Sequence, residues 1–283
     1  MKLRGLHAHS YSLEHSVPRA SVRAIAILGV SVDRGGLSEA MERIHALLDP
    51  STCTRVGTGQ VITLNPEYLM RARQDATLRH IIADADVCVA DGVGLIVAAR
   101  LLHGANHGVA RVTGNDLVAA LAAAGVPLFL LGAAPGVAED AAAVLLQRHP
   151  QARIAGMWAG NAGPGDDAET RQRINATDAR VVLVAYGMPK QDHWIARNLP
   201  YLDASVAIGV GGAFDYLAGR VPRAPAWMRA RGLEWLYRLI RQPWRWRRIL
   251  IVWQFAVLVL GIAARQRAQS FLSTRLTWFT GGR

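Results

Sequence analysis

The chain has 283 residues, of which 51% are hydrophobic and 19% charged, and its formal net charge is +11. This length allows one large domain with a sizeable core, or one domain with a smaller addition. No apolar run reaches the ~20 residues of a clear membrane-spanning helix. The amino terminus has no continuous apolar segment, so we predict no signal peptide and expect residues 1–22 to form a disordered leader. Cys53 and Cys88 lie far apart without metal-site spacing, which is typical of reduced thiols in a cytosolic protein.

Short apolar segments alternate with helical patterns between residues 24 and 210. The apolar segments are continuous runs rich in Val, Ile and Leu, which are typical of strands buried on both faces. Such strands, separated by helices, form parallel sheets, so we predict an α/β core over residues 23–219. The predicted strands are 24–30, 60–64, 86–90, 127–131, 153–156, 180–186 and 205–210, and the predicted helices are 37–48, 67–83, 94–102, 116–124, 137–148, 168–176 and 190–198.

Polar or glycine-rich residues follow nearly every predicted strand. Ligands of parallel α/β sheets bind beyond the carboxyl ends of the strands, which all lie at one edge of the sheet. Glycine at these positions lets the backbone approach a ligand closely. The convergence of such residues on one edge predicts a cleft for a phosphorylated small molecule. The candidate residues are Thr63, Asn65, Asp91, Gly92, Gly132, Gly187, Lys190, Gln191, Gly211, Gly212 and Asp215.

Asp91 directly follows an apolar strand and precedes Gly92. A carboxylate at the end of a buried strand suits the role of a general base. Asp is equally favoured as the N-cap of a following helix, and the spacing leaves both roles open.

Thr63 and Asn65 alternate about Leu64, so both side chains are predicted to face the cleft. Asn65 also suits the N-cap of a helix that begins at Pro66, since proline is favoured at the first helical position. The two roles of Asn65 are compatible.

Residues 187–192 form a turn at a predicted helix start, where free backbone amides bind anions. Lys190 adds a positive charge and Gln191 adds amide donors; an ordinary surface helix start is the alternative. Gly132 lies in a turn similar to phosphate-binding turns, for which a tight strand-to-helix connection is the alternative. Asp215 suits an acceptor for ribose hydroxyls or a base edge, or a residue that merely forms a turn.

No catalytic metal and no cofactor are predicted. The Asp84-Ala85-Asp86 triplet matches the D-x-D pattern that holds divalent metals in many nucleotide-sugar enzymes. It precedes its strand, however, and so lies at the edge opposite the predicted cleft. The nine histidines show no ligand spacing.

Residues 220–248 form a basic, tryptophan-rich segment with nine arginines and one acidic residue, Glu234. Such clustering attracts anions. Arg238, Arg241, Arg245 and Arg248 share one face of a continuous helix, although Pro243 would divide that helix. This face suits a diphosphate, and a solvated face against anionic lipid head groups is the alternative.

An apolar run at 249–264 is interrupted only by Gln254 and is followed by a basic tail to residue 283. Arginine and tryptophan beside an apolar helix are typical of helices that lie in a membrane interface. We expect such an interfacial helix. A bilayer span and a core or oligomer contact remain alternatives, so a homo-oligomer stays open.

Over roughly residues 24–250 the sequence resembles the WecG/TagA/CpsF glycosyltransferase family, because six separated motifs occur in the family's order and with its spacing. One departure is Asp192, where the family usually has Glu, a conservative change. The motifs are Ile62-Thr63-Leu64-Asn65-Pro66-Glu67, Ala90-Asp91-Gly92-Val93-Gly94, Gly187-Met188-Pro189-Lys190-Gln191-Asp192, Gly209-Val210-Gly211-Gly212-Ala213-Phe214-Asp215, Arg223-Ala224-Pro225 and Gly232-Leu233-Glu234-Trp235-Leu236-Tyr237-Arg238-Leu239.

The resemblance implies a Rossmann-like α/β fold and a metal-independent enzyme at the inner face of the cell membrane. It implies sugar transfer from a UDP-sugar to a polyprenyl-diphosphate-linked saccharide, in teichoic-acid, enterobacterial-antigen or exopolysaccharide assembly. Donors in the family include N-acetylmannosamine, its uronic acid and glucose.

By motif, Asp91 resembles the proposed base, and we assign Thr63 to the catalytic group with it. Thr63, Asn65 and Gln191 resemble residues that contact sugar and phosphate. Asp215 resembles a nucleoside contact, and Arg238, Arg245 and Arg248 resemble appendage arginines that hold the diphosphate.

Our hypothesis for the mechanism is an inverting single displacement. One rival is a UDP-sugar-binding scaffold or regulator without transfer. The other rival is a nucleic-acid-binding protein that uses the Arg/Trp segment. This rival explains neither the apolar run nor the glycine-rich strand ends. We therefore expect no nucleic-acid partner.

Overall fold

The structure is a computed structural model that describes residues 24–51, 57–222, 224–225, 227–228, 231, 234–241 and 246–280, except the side chains of 234, 235, 238, 247–249 and 270–280. The leader predicted at residues 1–22 lies outside the described residues.

Eight strands and eleven α-helices form within the described residues. The strands are β1 (Ala24–Ile27), β2 (Val30–Asp33), β3 (Gly59–Leu64), β4 (Val87–Ala90), β5 (Pro127–Gly132), β6 (Arg153–Trp158), β7 (Val181–Ala185) and β8 (Val206–Gly209). The helices are α1 (Leu37–Leu48), α2 (Pro66–Ala72), α3 (Ala76–Asp84), α4 (Val93–His103), α5 (Gly114–Ala123), α6 (Val137–Arg148), α7 (Asp167–Asn175), α8 (Lys190–Asn198), α9 (Ala213–Leu217), α10 (Glu234–Arg241) and α11 (Trp246–Thr280).

Six strands form one parallel sheet in the order β4-β3-β8-β7-β5-β6, which confirms the predicted Rossmann-like α/β core. The chain passes from β3 outward to β4 at one side and from β5 outward to β6 at the other. The connections therefore diverge near the middle of the sheet. Crevices for ligands form where connections diverge, beyond the carboxyl ends of the strands.

Apolar side chains cover both faces of the sheet. One face packs against α1, α5, α6 and α9, where Ile44 and Phe214 are fully buried. The other face packs against the β1–β2 hairpin, the helices α2–α4 and α8, where Tyr68 and Trp194 are buried. Each large apolar side chain that is buried this way stabilises the fold by about 1.5–3 kcal/mol.

The predicted strand at 24–30 is wrong as a member of the parallel sheet. The strands β1 and β2 form a separate antiparallel hairpin. Leu28 and Gly29 make its turn with φ of 51° and 82°, and a positive φ at both turn residues matches the twist of a two-residue hairpin. The Asp33 carboxylate accepts a hydrogen bond from the Cys88 N–H at 2.6 Å, which attaches the hairpin to β4.

The helix predicted at 67–83 is divided into α2 and α3. Asp75 ends the continuity because its side chain accepts a hydrogen bond from the Leu78 N–H at 3.0 Å and caps the second helix. Asp favours the start of a new helix because its side chain accepts from a backbone N–H that has no partner within the helix.

The C-terminal helix α11 has 35 residues and contains the predicted apolar segment at 249–264. Phe255, Val259 and Ala263 are 3%, 2% and 3% exposed, and their spacing of four places them in one stripe. The helix packs against α4 and α2, and its Phe255 and Val259 belong to the same apolar cluster as Leu95 of α4. One face of α11 is therefore a contact with the core.

We expect Phe255→Ala to lower the free energy of unfolding by about 3 kcal/mol or more, because it leaves a cavity between α11 and the core. Val257→Ala is the matched control, since Val257 is 69% exposed and should cost less than about 0.5 kcal/mol. Urea denaturation of the full chain in a constant mild detergent measures both values. Equal effects of the two changes would show that α11 is not docked on this face.

Candidate active site

Thr63 joins the carboxyl ends of two central strands. Ile62 of β3 pairs with Gly209 of β8. The Thr63 hydroxyl donates a hydrogen bond to the Gly209 carbonyl oxygen at 3.0 Å, and the side chain is buried. This bond places the end of β3 directly beside the glycine-rich turn that follows β8.

Asn65 caps α2, as the sequence predicted. Its side-chain oxygen accepts a hydrogen bond from the Tyr68 N–H at 3.1 Å, and Pro66 occupies the first helical turn. The side-chain NH2 group carries two donors that this cap does not need. A ligand contact by Asn65 therefore stays compatible with the cap and stays a prediction.

Asp91 is half-buried at the carboxyl end of β4, next to the end of β3. Its backbone N–H donates to the Leu64 carbonyl oxygen at 2.6 Å. The N-cap of α4 is Gly92, with φ of 112°, so Asp91 lies one residue before the cap. The N-cap role thus falls to Gly92, and the general-base role of Asp91 stays a prediction.

Gln191 lies beneath the turn after β8. Its side-chain oxygen accepts a hydrogen bond from the Gly211 N–H at 3.0 Å, and its NH2 group donates to the Tyr68 hydroxyl at 3.1 Å. Gln191 is 1% exposed. Its side chain is therefore part of the structure that supports the Gly211 turn.

Asp192 and Tyr68 form a fully buried pair. The Tyr68 hydroxyl donates to the Asp192 carboxylate at 2.6 Å. Burial raises the pKa of the Asp192 carboxyl to about 7, and the hydrogen bond from Tyr68 opposes this increase. Burial next to this carboxyl also raises the pKa of the Tyr68 hydroxyl well above its usual value. Both directions follow from the cost of a charge in a region without water.

The turn before α8 uses two of the amides that were expected to bind an anion. The Gln191 N–H donates to the Gly187 carbonyl oxygen at 3.0 Å, and the Asp192 N–H donates to the Pro189 carbonyl oxygen at 3.1 Å. Pro189 has no N–H group. Lys190 is exposed at the same helix start, so its side chain is the accessible cation of this turn.

The turn after β5 requires glycine. Gly132 has φ of 101°, and a Cβ atom there would lie 2.9 Å from the Ala185 carbonyl carbon. Close packing of β5 against β7 therefore explains Gly132, in agreement with the alternative of a tight strand-to-helix turn. Gly212 caps α9, and Asp215 follows in its first turn, half-buried at the same edge.

The structure describes little of the arginine face that was expected to hold a diphosphate. Arg245 lies outside the described residues, and the side chains of Arg238 and Arg248 are not described. Arg220 is described at the start of the segment and forms an exposed ion pair with Asp140 of α6, at 2.6 Å.

The Asp84–Asp86 triplet lies at the amino edge of the sheet, opposite the candidate site. The Asp86 carboxylate accepts a hydrogen bond from the Gln60 N–H at 2.8 Å and joins the starts of β3 and β4. Within the described ranges, no group of three or more His, Cys, Asp or Glu side chains is arranged to hold a metal ion.

Tyr68 is the residue at this edge that the sequence analysis missed. It lies 124 positions from Asp192 and 123 from Gln191, so no local spacing connects them. Its only sequence signal was an aromatic hydroxyl in the first turn of a helix that begins at the site.

A parallel α/β sheet with a carboxylate, a hydroxyl and glycine turns at its carboxyl edge is typical of proteins that bind nucleotides or other phosphorylated ligands. The family model described as "Glycosyl transferase WecG/TagA/CpsF family" matches residues 25–269. The chain therefore belongs to this family of glycosyltransferases, and the match extends into α11, further than the resemblance seen in the motifs.

The chain is also similar to a named relative from Bacillus subtilis (strain 168). That protein is N-acetylglucosaminyldiphosphoundecaprenol N-acetyl-beta-D-mannosaminyltransferase. The two are 33% identical over 207 residues, which cover 71% of this chain and 79% of the relative.

The raised pKa of Asp192 predicts a pH dependence of stability. An unfolded Asp carboxyl has a pKa of about 4, so the folded protein binds this proton more tightly between about pH 4 and pH 7. The stabilisation is complete below pH 4 and is lost as the pH rises through about 7. We expect the free energy of unfolding to fall from pH 5 to pH 8 more steeply in the wild type than in Asp192→Asn.

Urea denaturation at the two pH values measures this difference. Asp203→Asn, at an exposed carboxylate, serves as the control and should keep the wild-type slope. A wild-type slope in Asp192→Asn as well would refute the assignment.

Proposed function

We propose that the protein is a membrane-associated, inverting glycosyltransferase. It transfers a sugar of the N-acetylmannosamine, N-acetylmannosaminuronic acid or glucose class from a UDP-sugar to a polyprenyl-diphosphate-linked saccharide, in cell-surface polysaccharide synthesis. The observation that carries this proposal is family membership together with the placement of Asp91, Thr63 and the Gly211 turn at one sheet edge. The name of the B. subtilis relative describes N-acetylmannosaminyl transfer to a diphosphoundecaprenol-linked sugar, which favours the first donor class.

Asp91 acts as the general base in the proposed reaction. An acceptor hydroxyl oxygen attacks the anomeric carbon of the donor while the bond between that carbon and the UDP oxygen breaks. The hydroxyl proton passes to the Asp91 carboxylate, and UDP leaves with the bonding electron pair. A single displacement of this kind inverts the anomeric configuration. The half-buried position of Asp91 beside β3 supports this role, since a base must reach the reacting hydroxyl directly.

Fixed groups of the protein stabilise the leaving UDP in this proposal, without a catalytic metal. The Gly211 turn and Asp215 receive the nucleoside, while Lys190 and the arginines at 238, 245 and 248 receive the diphosphate. Positive groups that are already oriented toward a developing negative charge lower the barrier without reorganisation. Arginine is well suited to this task because its guanidinium binds two phosphate oxygens at once.

We expect Asp91→Asn to lower kcat by about 10²–10⁴-fold, because the amide cannot take the proton. Asp84→Asn is the matched control: Asp84 is exposed at the opposite edge of the sheet and should keep wild-type activity. The assay combines UDP-N-acetylmannosamine with a short-chain lipid-diphosphate-linked N-acetylglucosamine in excess chelator and identifies the product by mass. Near-wild-type turnover of Asp91→Asn would refute its role as base, and UDP-sugar binding without product would favour a scaffold.

The outer face of α11 is the proposed membrane surface. Leu250, Trp253, Val257 and Leu260 are between 50% and 69% exposed, and their spacing of three and four places them opposite the docked stripe. Exposed Arg265 and Arg267 follow this apolar face. An apolar helix face with tryptophan and flanking arginine binds anionic lipid surfaces.

We infer that α11 lies along the inner face of the cell membrane and does not cross it. The segment Leu250–Gln269 has the length and hydropathy of a candidate span, with a mean hydropathy of 1.3. Its middle, however, packs against α2 and α4, and α2 carries the ion pair between Glu67 and Arg71. A spanning α11 would draw these charged helices into the hydrocarbon core, where each charge costs several kcal/mol.

We expect the double change Val257→Glu and Leu260→Glu to reduce binding to phosphatidylglycerol-containing vesicles by at least tenfold, since two charges would enter the apolar layer. Leu146→Glu is the control, because Leu146 is similarly exposed, on α6. Vesicle co-sedimentation measures binding, and alkaline extraction of cell membranes should release the wild-type protein. Retention after alkaline extraction would show that α11 spans the bilayer.

A further inference from the structure

A chain of three hydrogen bonds runs beneath the turn that follows β8. The Gly211 N–H donates to Gln191 at 3.0 Å, Gln191 donates to the Tyr68 hydroxyl at 3.1 Å, and Tyr68 donates to Asp192 at 2.6 Å. The three side chains are 1%, 1% and 0% exposed. They come from α2 and α8 and meet only in the folded protein.

The groups at the two ends of this hydrogen-bond chain determine which group donates and which accepts at each step. A backbone N–H can only donate, so Gly211 requires the oxygen of the Gln191 amide. When the Asp192 carboxylate is ionised it can only accept, so it takes the single proton of the Tyr68 hydroxyl. Tyr68 must then accept from the Gln191 NH2 group. The orientation of the Gln191 amide is therefore imposed from both sides.

The chain supports one particular piece of backbone. Gly211 has φ of 56°, and a Cβ atom on Gly209 would lie 2.5 Å from the Gln191 side-chain nitrogen. Thr63 holds the Gly209 carbonyl oxygen from the other side. The segment from Gly209 to Gly211 is thus fixed between the Thr63 hydroxyl and the Gln191 amide.

We propose that Tyr68 and Asp192 are positioning residues that orient the Gln191 amide and so hold the Gly211 turn in the conformation that receives the nucleotide of the donor. This inference rests on the proposed function, which assigns the turn to UDP-sugar binding. The three side chains are buried, so they act on the donor through the turn and not by touching it. In this proposal Asp192, which stands where the family usually has Glu, orients the hydrogen-bond chain by accepting from Tyr68.

Tyr68→Phe tests the middle of the chain, because it removes only the hydroxyl. Gln191 then loses its acceptor and Asp192 loses its donor, so the turn is held less firmly. We expect the affinity for UDP, measured by titration calorimetry, to fall by about tenfold, the size of one lost buried hydrogen bond. The KM for the donor should rise to match, while the KM for the acceptor stays unchanged. Tyr201→Phe, at an exposed tyrosine, is the matched control and should bind UDP as the wild type does.

Reversing the direction of these hydrogen bonds distinguishes a positioning role from an effect on folding stability alone. In Gln191→Glu the carboxylate faces a Tyr68 hydroxyl whose proton is already committed to Asp192, so UDP affinity should fall by at least tenfold. In the double variant Gln191→Glu with Asp192→Asn, the asparagine NH2 can donate to Tyr68, and Tyr68 can donate to the new carboxylate. Each of the three hydrogen bonds of the chain again has one donor and one acceptor, and the number of buried charges is the same as in the wild type. We expect the double variant to bind UDP at least threefold more tightly than Gln191→Glu alone.

The outcomes are distinct for the two proposals. A wild-type protein that binds no UDP would overturn the proposed function and this inference together. Normal UDP binding by Tyr68→Phe, or no rescue in a double variant that folds with a wild-type melting temperature, would overturn the inference alone. Weakened binding in Tyr68→Phe with rescue in the double variant, but no transfer by the wild type, would support the inference and contradict the proposed transferase reaction.

Discussion

The pairing of β3 with β8 is the contact on which the candidate site depends. It joins Ile62 to Gly209, and the hydroxyl of the next residue, Thr63, bonds across the same pair over a separation of 146 residues. Closing so long a loop costs conformational entropy, which the apolar layers on both faces of the sheet offset. With β3 and β8 as neighbours, β4 lies beside β3 and brings Asp91 to the same edge. Without this pairing, the proposed base and the glycine turn would belong to two separate groups of strands, β4-β3 and β8-β7-β5-β6.

The same pairing explains why glycine and buried polar groups occur together here. The Gly211 turn has to remain open to a ligand above while its backbone is held from below. Its N–H points toward the buried Gln191 side chain, and a donor left unpaired on the buried side of the turn would cost up to about 1–3 kcal/mol. Gln191 provides that partner, Tyr68 accepts from Gln191, and Asp192 accepts from Tyr68 in turn. The cost of this support is a buried carboxyl whose pKa is raised to about 7, which is tolerable only because other contacts stabilise the fold.

The sequence predicted the six parallel strands, mostly from continuous apolar runs; β6 is the exception, an edge strand with no buried residue. It predicted α1, α6 and α8 to the residue. It also predicted the residues at the strand ends, since glycine and polar residues interrupt the apolar pattern there. It could not predict the strand order, because neighbours such as β3 and β8 carry no complementary signal. The hairpin at Leu28 and Gly29 was missed since one glycine inside an apolar run was read as part of a strand. The role of Tyr68 was missed for another reason: an apolar helix position predicts burial, and only the tertiary contact shows where its hydroxyl points.

The helix α11 connects the proposed membrane surface to the site through the two helices on which it packs. The helix α2 begins directly after Asn65, and α4 begins directly after Gly92, so both start at the ends of strands that carry Thr63 and Asp91. Phe255 and Val259 pack in the cluster that contains Tyr68, the middle residue of the buried hydrogen-bond chain. A bilayer in contact with the outer face of α11 would therefore affect, through packing, α2 and α4, which adjoin the proposed base and the donor turn. Removal of α11 would expose the apolar sides of α2 and α4, so a truncated chain would lose part of its core along with the proposed membrane surface. The proposed membrane binding and the geometry of the candidate site would thus be connected by packing, and point changes on the outer face of α11 can separate them.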